Sequence, residues 1–214
     1  HLMLDEVEKQ LNIDSSRARV RYLLERGRVF NSSKHPEEAR PFFEQALTMA
    51  QELKEDFYAV DAAHMLAIVA DPASSLDWNL RAIQMAESSA DEKARGWLGS
   101  LYNNTGWSYH DTGEYEPALE IFQKAESYFG EVRREDRLRI AKWTVARCLR
   151  SMSRIDEALS KQQALKAEFD SSGGSDGYVD EEIGECLLAL KREEESKPYF
   201  AKAYELLSQD EWLM

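Results

Sequence analysis

Tyr102-Asn103-Asn104-Thr105-Gly106-Trp107-Ser108-Tyr109-His110-Asp111-Thr112-Gly113-Glu114-Tyr115-Glu116-Pro117-Ala118-Leu119-Glu120-Ile121-Phe122-Gln123-Lys124-Ala125 is the stretch on which the fold turns. Its apolar residues recur at three- and four-residue steps on both sides of Gly113, the pattern of two amphipathic helices joined by a tight turn. Gly113 suits the left-handed residue just past a helix end. Working outward, the same frame fits four more segments. Gly27, Phe30, Ala39, Phe43 and Ala46 form the first, and Ala63, Leu66, Ser75, Asn79 and Ala82 a degenerate second. Ala146, Leu149, Ala158, Gln162 and Leu165 form the fourth, and Gly184, Leu187, Ser196, Phe200 and Ala203 the fifth. The small residue of each first helix falls at 27, 63, 106, 146 and 184, so the units are spaced by 36, 43, 40 and 38 residues. Small residues here let two helices of a hairpin cross closely. Phe43, Phe122 and Phe200 are expected to fill the seams between neighbouring units. One hairpin cannot bury its apolar stripe alone, and stacking supplies the core.

The Tyr102–Ala125 segment resembles the tetratricopeptide repeat: a bulky residue, Gly106, Tyr109, Gly113-x-Tyr115, then Ala118, Phe122 and Ala125 at the motif's offsets. The resemblance extends over roughly Arg17 to Leu207. The spacings exceed the standard 34 residues, so some helices should be longer by about a turn, as in the kinesin light chain type of array. The resemblance implies an all-α, right-handed superhelical solenoid of about five helix-turn-helix repeats, with first helices lining a concave face. It divides the chain into an N-terminal extension or capping helix over 1–14, a repeat domain over 15–208 and a tail over 209–214. The units run approximately over 20–54, 56–88, 99–130, 139–170 and 177–208.

Composition agrees. The chain has 214 residues, 43% hydrophobic and 31% charged, which describes a globular protein long enough to bury a core. Ten glycines and five prolines are few for a sandwich or barrel. The net charge of −13 disfavours nucleic acid and anionic membrane as partners. No run approaches 18 apolar residues, so no membrane span is expected. His1 and Leu2 read as a remnant ahead of the chain proper, and no signal peptide follows. Cys148 and Cys186 make neither a disulfide framework nor a zinc set, which fits a reducing, cytoplasmic setting.

The motifs of catalysis are missing: no glycine-rich phosphate loop, no Gly-x-Ser-x-Gly elbow, no His-Glu-x-x-His. The histidines at 1, 35, 64 and 110 are scattered. The two cysteines occupy equivalent places in successive first helices and read as buried packing thiols. Residues 171–177 read as a flexible connector; the run from Asp170 to Glu181 has acids at the first and last places of a calcium loop, but its fifth and sixth places are Gly174 and Ser175, so it reads as a solvated linker. Asp180, Glu181, Glu182 and Glu185 read as the solvated start of a helix. No enzyme activity, cofactor or metal is expected.

The resemblance also says where to look for binding: six and three residues before the small residue of each first helix, and one and four after it. Arg21, Arg28, Arg147 and Arg150 are then the charged groove residues of the first four units, with no acid among them. Arg28, His64, Asn103, Asn104, Trp107, His110, Trp143, Arg147 and Arg150 are the candidate groove residues. Arginine offers a fork for carboxylate, tryptophan a rigid apolar anchor point, and asparagine a partner for an extended backbone. The expected ligand is a peptide or protein segment, acidic or ending in a free carboxylate, with an apolar anchor. The alternative is that these are ordinary surface arginines with tryptophans packed between units. The carboxylate clamp of chaperone-binding repeats does not fit, because only Asn104 matches it. Val60, His64, Ile140 and Thr144 stand in its other places. The function expected is that of a scaffold or adaptor. Two alternatives remain open, a regulatory repeat protein taking a signal peptide or small ligand, and a fragment of a larger protein.

Overall fold

The computed structural model describes residues 2–11 and 16–208. His1 and residues 12–14 of the expected N-terminal extension, Ser15 at the start of the expected repeat domain and the expected 209–214 tail lie outside the described residues. Among those described, every regular element is a helix: α1 (Leu2–Gln10), α2 (Arg17–Ser32), α3 (Pro36–Glu52), α4 (Asp56–Val69), α5 (Pro72–Ser88), α6 (Glu92–Arg95), α7 (Leu98–Asp111), α8 (Tyr115–Glu131), α9 (Glu135–Ser151), α10 (Ile155–Ser171), α11 (Gly177–Ala189) and α12 (Glu193–Leu207). None is long and apolar enough to cross a membrane.

Helix ends set the architecture. Lys34, Lys54, Arg133, Ser153 and Lys191 adopt the left-handed conformation, as do Gly113 and Gly173. Each sits one residue past a C-cap and closes the paired bonds of a Schellman turn. His35 N–H donates to the Phe30 carbonyl while Lys34 N–H donates to Asn31, and Arg154 N–H donates to Leu149 while Ser153 N–H donates to Arg150. Gly113 was legible as such a residue. The five non-glycine positions were not, because a β-carbon in this conformation costs energy and nothing in their identity announces the turn.

The chain forms two compact units, residues 1–108 and 109–214. In the first, α2 packs on α3, α3 on α4 and α4 on α5. Its core gathers Val20, Leu23, Leu24, Phe43, Ala46, Ala62 and Leu66, with Leu4 of α1 and Leu11 packed against it. In the second, α8 packs on α9, α9 on α10, α10 on α11 and α11 on α12. Phe122, Val145, Leu149, Leu165, Ile183 and Leu187 are fully buried there.

The small residues do what a close crossing requires. A β-carbon on Gly27 would lie 2.5 Å from the Phe43 ring, and one on Gly184 would lie 3.0 Å from Phe200. Phe43 and Phe200 thus cover the glycine of their own hairpin, which corrects the assignment of these rings to inter-unit seams alone. The spacings are explained in two ways. Helices α3, α5, α8 and α10 each run 17 residues. The widest interval, 43, instead comes from α6, a single turn capped by Asp91 and inserted before α7.

Candidate functional site

Three of the four expected groove arginines, Arg28, Arg147 and Arg150, are engaged by acids of the same compact unit, while Arg21 is exposed. Arg28 of α2 donates to both carboxylate oxygens of Asp61 on α4, at 2.6 and 2.7 Å, and to Glu25 at 2.7 Å. In the second unit Arg147 of α9 lies 2.9 Å from Glu182 of α11. Arg150 donates to the two oxygens of Glu182 at 2.7 and 2.9 Å, and lies 3.5 Å from Glu185. Arg28 and Arg147 each follow the small residue of their helix, and Asp61 and Glu182 each precede the next small residue by two. The two ion pairs are therefore the same device at equivalent repeat positions.

Asp61 and Glu182 are 4% exposed, and Asp180 is 1% exposed with Lys166 3.0 Å away. This corrects two sequence expectations. The arginine face is not free of acids, because acids two residues before the small residue reach it. The Asp180–Glu185 run is not a solvated helix start, because Asp180 and Glu182 are buried in ion pairs. The missed signal is available in the sequence, since burial of an acid on the core side of a helix calls for a cation one repeat away.

His110 joins the second-unit cluster. Its Nε2 is 2.9 Å from Ser151 Oγ, which also accepts from Arg147 at 3.0 Å. Burial, then the charge of Arg147, holds the His110 imidazole below its ordinary value. The hydrogen bond to Glu182 raises the Arg150 guanidinium against the opposing effect of burial. His64 lies against Trp97, ring centroids 5.4 Å apart, and burial also depresses its imidazole. Asn103 is half-buried and Asn104 exposed on α7, where Trp107 is half-buried. Arg28 and His64 thus gather around Asp61 in the first unit. Arg147 and Arg150 gather around Glu182 in the second, with His110 linked to Arg147 through Ser151.

Trp143 belongs to a different feature of the second unit. Its indole N–H donates to the Tyr178 carbonyl at 3.1 Å, and the two rings meet edge to face at 6.2 Å. Both line a cavity of about 600 Å³ between the starts of α9 and α11 and the end of α10. Ile140, Phe169 and Val179 complete its apolar walls, and Asp136, Arg139 and Asp176 stand on its rim. Ile140 is 50% exposed and Tyr178 40%, so apolar surface is open to solvent here. The volume falls within the ~300–1,000 Å³ of ordinary ligand pockets.

The rim charges are unequal in their commitments. Asp136 is held by Arg134 at 3.3 Å and Arg137 at 3.6 Å. Asp176 caps α11 by accepting the Tyr178 N–H at 2.9 Å. Arg139 lies 4.6 Å over the Phe169 ring and donates weakly to Ser172, while its Nε is buried without a hydrogen-bond partner.

Cys148 and Cys186 are buried, and burial pushes both thiols up to about 11. A thiol so placed is a packing group, not a nucleophile. Among the described residues no cluster could hold a metal ion.

Residues 20–53, 99–129 and 182–208 match the family model described as tetratricopeptide repeat. No curated protein matches the sequence. Solved structures share the fold at low identity. The apo form of RapI aligns with a TM-score of 0.82 and 15% identity, over 98% of this chain and 59% of its own, so this chain spans about three-fifths of that protein. TPR-like repeats attributed to a kinesin light chain of Podosopora anserina give 0.72 and 12%, over 87% and 93%. BtubC of P. vanneervenii gives 0.71 and 15%, over 88% and 80%.

Proposed function

Because this chain carries tetratricopeptide repeats in an all-α repeat fold, we propose that it is an adaptor that binds a peptide or protein segment and performs no chemistry itself. Repeat folds of this family present first-helix surfaces to protein partners, and the site must still be argued from side chains. The observation that carries the reading is the apolar cavity walled by Ile140, Trp143, Phe169, Tyr178 and Val179. Aromatic walls with a few polar rim groups suit one large apolar side chain. Arg139 lines that cavity and donates weakly to the Ser172 hydroxyl, and its guanidinium suits a carboxylate next to the anchor. The ligand so described is an acidic segment with an aromatic or branched anchor.

This reading moves the centre of the site. Arg147 and Arg150 support the surface by fixing α9 against α11, and their guanidiniums are occupied by Glu182. Ile140, Trp143 and Tyr178 take the anchor. Panning a randomised peptide library on the chain tests the proposal. Recovered peptides should share one large apolar residue beside Asp or Glu, and Ile140→Glu should abolish their capture. Peptides without such a consensus, or captured equally by Ile140→Glu, would overturn it.

A further inference from the structure

A second face of α2, away from Arg28, holds Arg19, Tyr22 and Arg26 at three- and four-residue steps. The guanidiniums of Arg19 and Arg26 lie 5.0 and 5.5 Å from the centre of the Tyr22 ring, and Arg26 Nε donates to the Tyr22 hydroxyl at 3.2 Å. Tyr22 and Arg26 are buried, Arg26 at 6% exposure. Helix α1 covers them. The Arg26 guanidinium pairs with Asp5 and lies 3.5 Å from Glu8, while Leu4 and Leu11 pack against the core. Leu4, Asp5, Glu8 and Leu11 form one helical stripe, two apolar residues bracketing two acids.

The two sides of this contact are unequal. Arg26 is enclosed, whereas Asp5 and Glu8 are 49% and 48% exposed. From Met3 to Gln10 no residue of α1 is buried, and Met3 and Val7 face solvent. Nine residues are too few for a helix to persist by itself in water. Half-exposed ion pairs hold weakly, and the apolar grip is two partly buried leucines. The site on α2 is therefore anchored in the core, while its occupant is an element that the core holds lightly. Such an element opens without unfolding of the rest. Its opening bares two guanidiniums around an aromatic ring, a surface that selects carboxylates.

We infer that this face of α2 is a docking site for an acidic amphipathic helix of a partner protein, and that α1 is its resident stand-in. The ligand pattern is the one α1 displays: an apolar residue, an acid next to it, a second acid three residues on and a second apolar residue three beyond that. Arg26 takes the two carboxylates, and the apolar residues lie along α2 in the helix-in-groove mode of recognition. A partner helix with more apolar surface than α1 displaces it, because one guanidinium cannot serve both. This site belongs to the first compact unit and is independent of the cavity in the second.

Hydrogen exchange on the intact chain reads the opening. The α1 amides should exchange at least tenfold faster than the α2 amides around Tyr22, at a rate that low denaturant leaves unchanged. Exchange of α1 only together with the rest of its unit would make it part of the core and overturn the inference.

Docking is read by fluorescence anisotropy with a labelled peptide of residues 2–11, cross-linked between positions 3 and 7 on the solvent face so that it stays helical. Asp5→Lys with Glu8→Lys in the chain alters only half-exposed acids and unseats α1. This variant should bind the peptide at least tenfold tighter than the intact chain, where α1 competes from within. Adding Arg26→Met should abolish that binding, with circular dichroism showing helix content retained. Absent binding, equal binding by the intact and variant chains, or binding that survives Arg26→Met would overturn the inference. Arg26→Glu in the intact chain is the complementary case. It should refuse the native peptide and take one carrying Asp5→Lys and Glu8→Lys, and failure of that exchange at unchanged helix content would also refute the site. An intact chain that dimerises in sedimentation, with the dimer lost on Asp5→Lys and Glu8→Lys, would overturn the partner helix in favour of α1 from a second copy.

Discussion

Replacing Glu182 separates a structural ion cluster from a ligand-binding one. Glu182 is 4% exposed, lies 2.9 Å from the Arg147 guanidinium and accepts from Arg150 at 2.7 and 2.9 Å. Removing one member of a fully buried pair costs about 3–5 kcal/mol, because an uncompensated charge is left behind. Here the stranded arginine side chains are 29% and 20% exposed and reach water, which lowers the cost. Glu182→Ala is therefore expected to lose about 2–3 kcal/mol. At about 2–4 °C per kcal/mol for a chain of this size, Tm falls by about 4–12 °C. Arg150→Ala removes two of the three close contacts and should rank next. Arg147→Ala leaves Glu182 still held by Arg150 and should rank last. Arg147→Glu should be worse than Arg147→Ala, since it sets a second carboxylate against a buried one. Thermal unfolding followed by circular dichroism measures the series. Arg154→Ala is the reference, because the Arg154–Glu157 pair lies on one exposed helix turn and its loss should leave Tm in place. If Glu182→Ala moved Tm no more than Arg154→Ala, the cluster would be a solvated surface network. The arginines would then be available to a ligand as the sequence alone suggested.

The core offers a second measurement: Gly27→Ala should cost about 1–3 kcal/mol by overpacking against Phe43, and Phe43→Ala about 3–5 kcal/mol by cavity formation, both read by denaturant midpoint. Ser153→Gly should stabilise the chain by up to about 1 kcal/mol, because glycine removes the left-handed penalty at the α9–α10 turn; a lower midpoint would contradict the turn geometry. For His110 the folded imidazole titrates below its ordinary 6.5, so below about pH 6.5 the unfolded chain binds more protons and stability is lost as the pH is lowered. His110→Gln, which can keep the bond to Ser151, should flatten that part of the stability–pH curve, and an unaltered slope would show that His110 is not its source. Cys148→Ala should leave peptide capture unchanged, and loss of capture there would implicate the thiol in binding.

The fold was legible because its strongest signals are steric. Gly27 and Gly184 stand where two helices cross, and the rings of Phe43 and Phe200 require the missing β-carbon there. Gly113 marked one turn for the same reason. The turns at Lys34, Lys54, Arg133, Ser153 and Lys191 carried no such mark, since tertiary packing imposes a conformation that those side chains resist. The site was half legible. Trp143, with Ile140 and Tyr178, fell on the expected first-helix face and lines the cavity. Arg28, Arg147 and Arg150 fell on that face too, but their partners Asp61 and Glu182 lie at an offset the expected groove omits. Pairing between successive repeats is a long-range fact, and a residue-by-residue frame weighs each charge alone. Phe169 and Asp176 escaped notice because they come from a helix end and the following loop, which have no fixed place in the repeat.

The equivalence of Arg28–Asp61 and Arg147–Glu182 has a consequence for where ligands can go. A buried ion pair is a poor source of net stability but a strong penalty on misalignment, because any slip of one helix against the next strands a charge in a low-dielectric site. Placed one residue after the small residue of one unit and two before that of the next, it fixes the register of successive first helices where they cross most closely. The guanidinium forks on that stretch are then saturated and offer an incoming carboxylate little. Trp143 and Ile140 lie three and six residues before Ala146, on the same face of α9 as Arg147 but one and two turns nearer the helix start, and Tyr178 lies six before Gly184. There the helices are joined by a ring contact and one indole hydrogen bond instead of by charges, and the surface between them is apolar and open. Between α9 and α11 the first-helix face is thus divided in two: a charged half that holds register and an apolar half open to solvent.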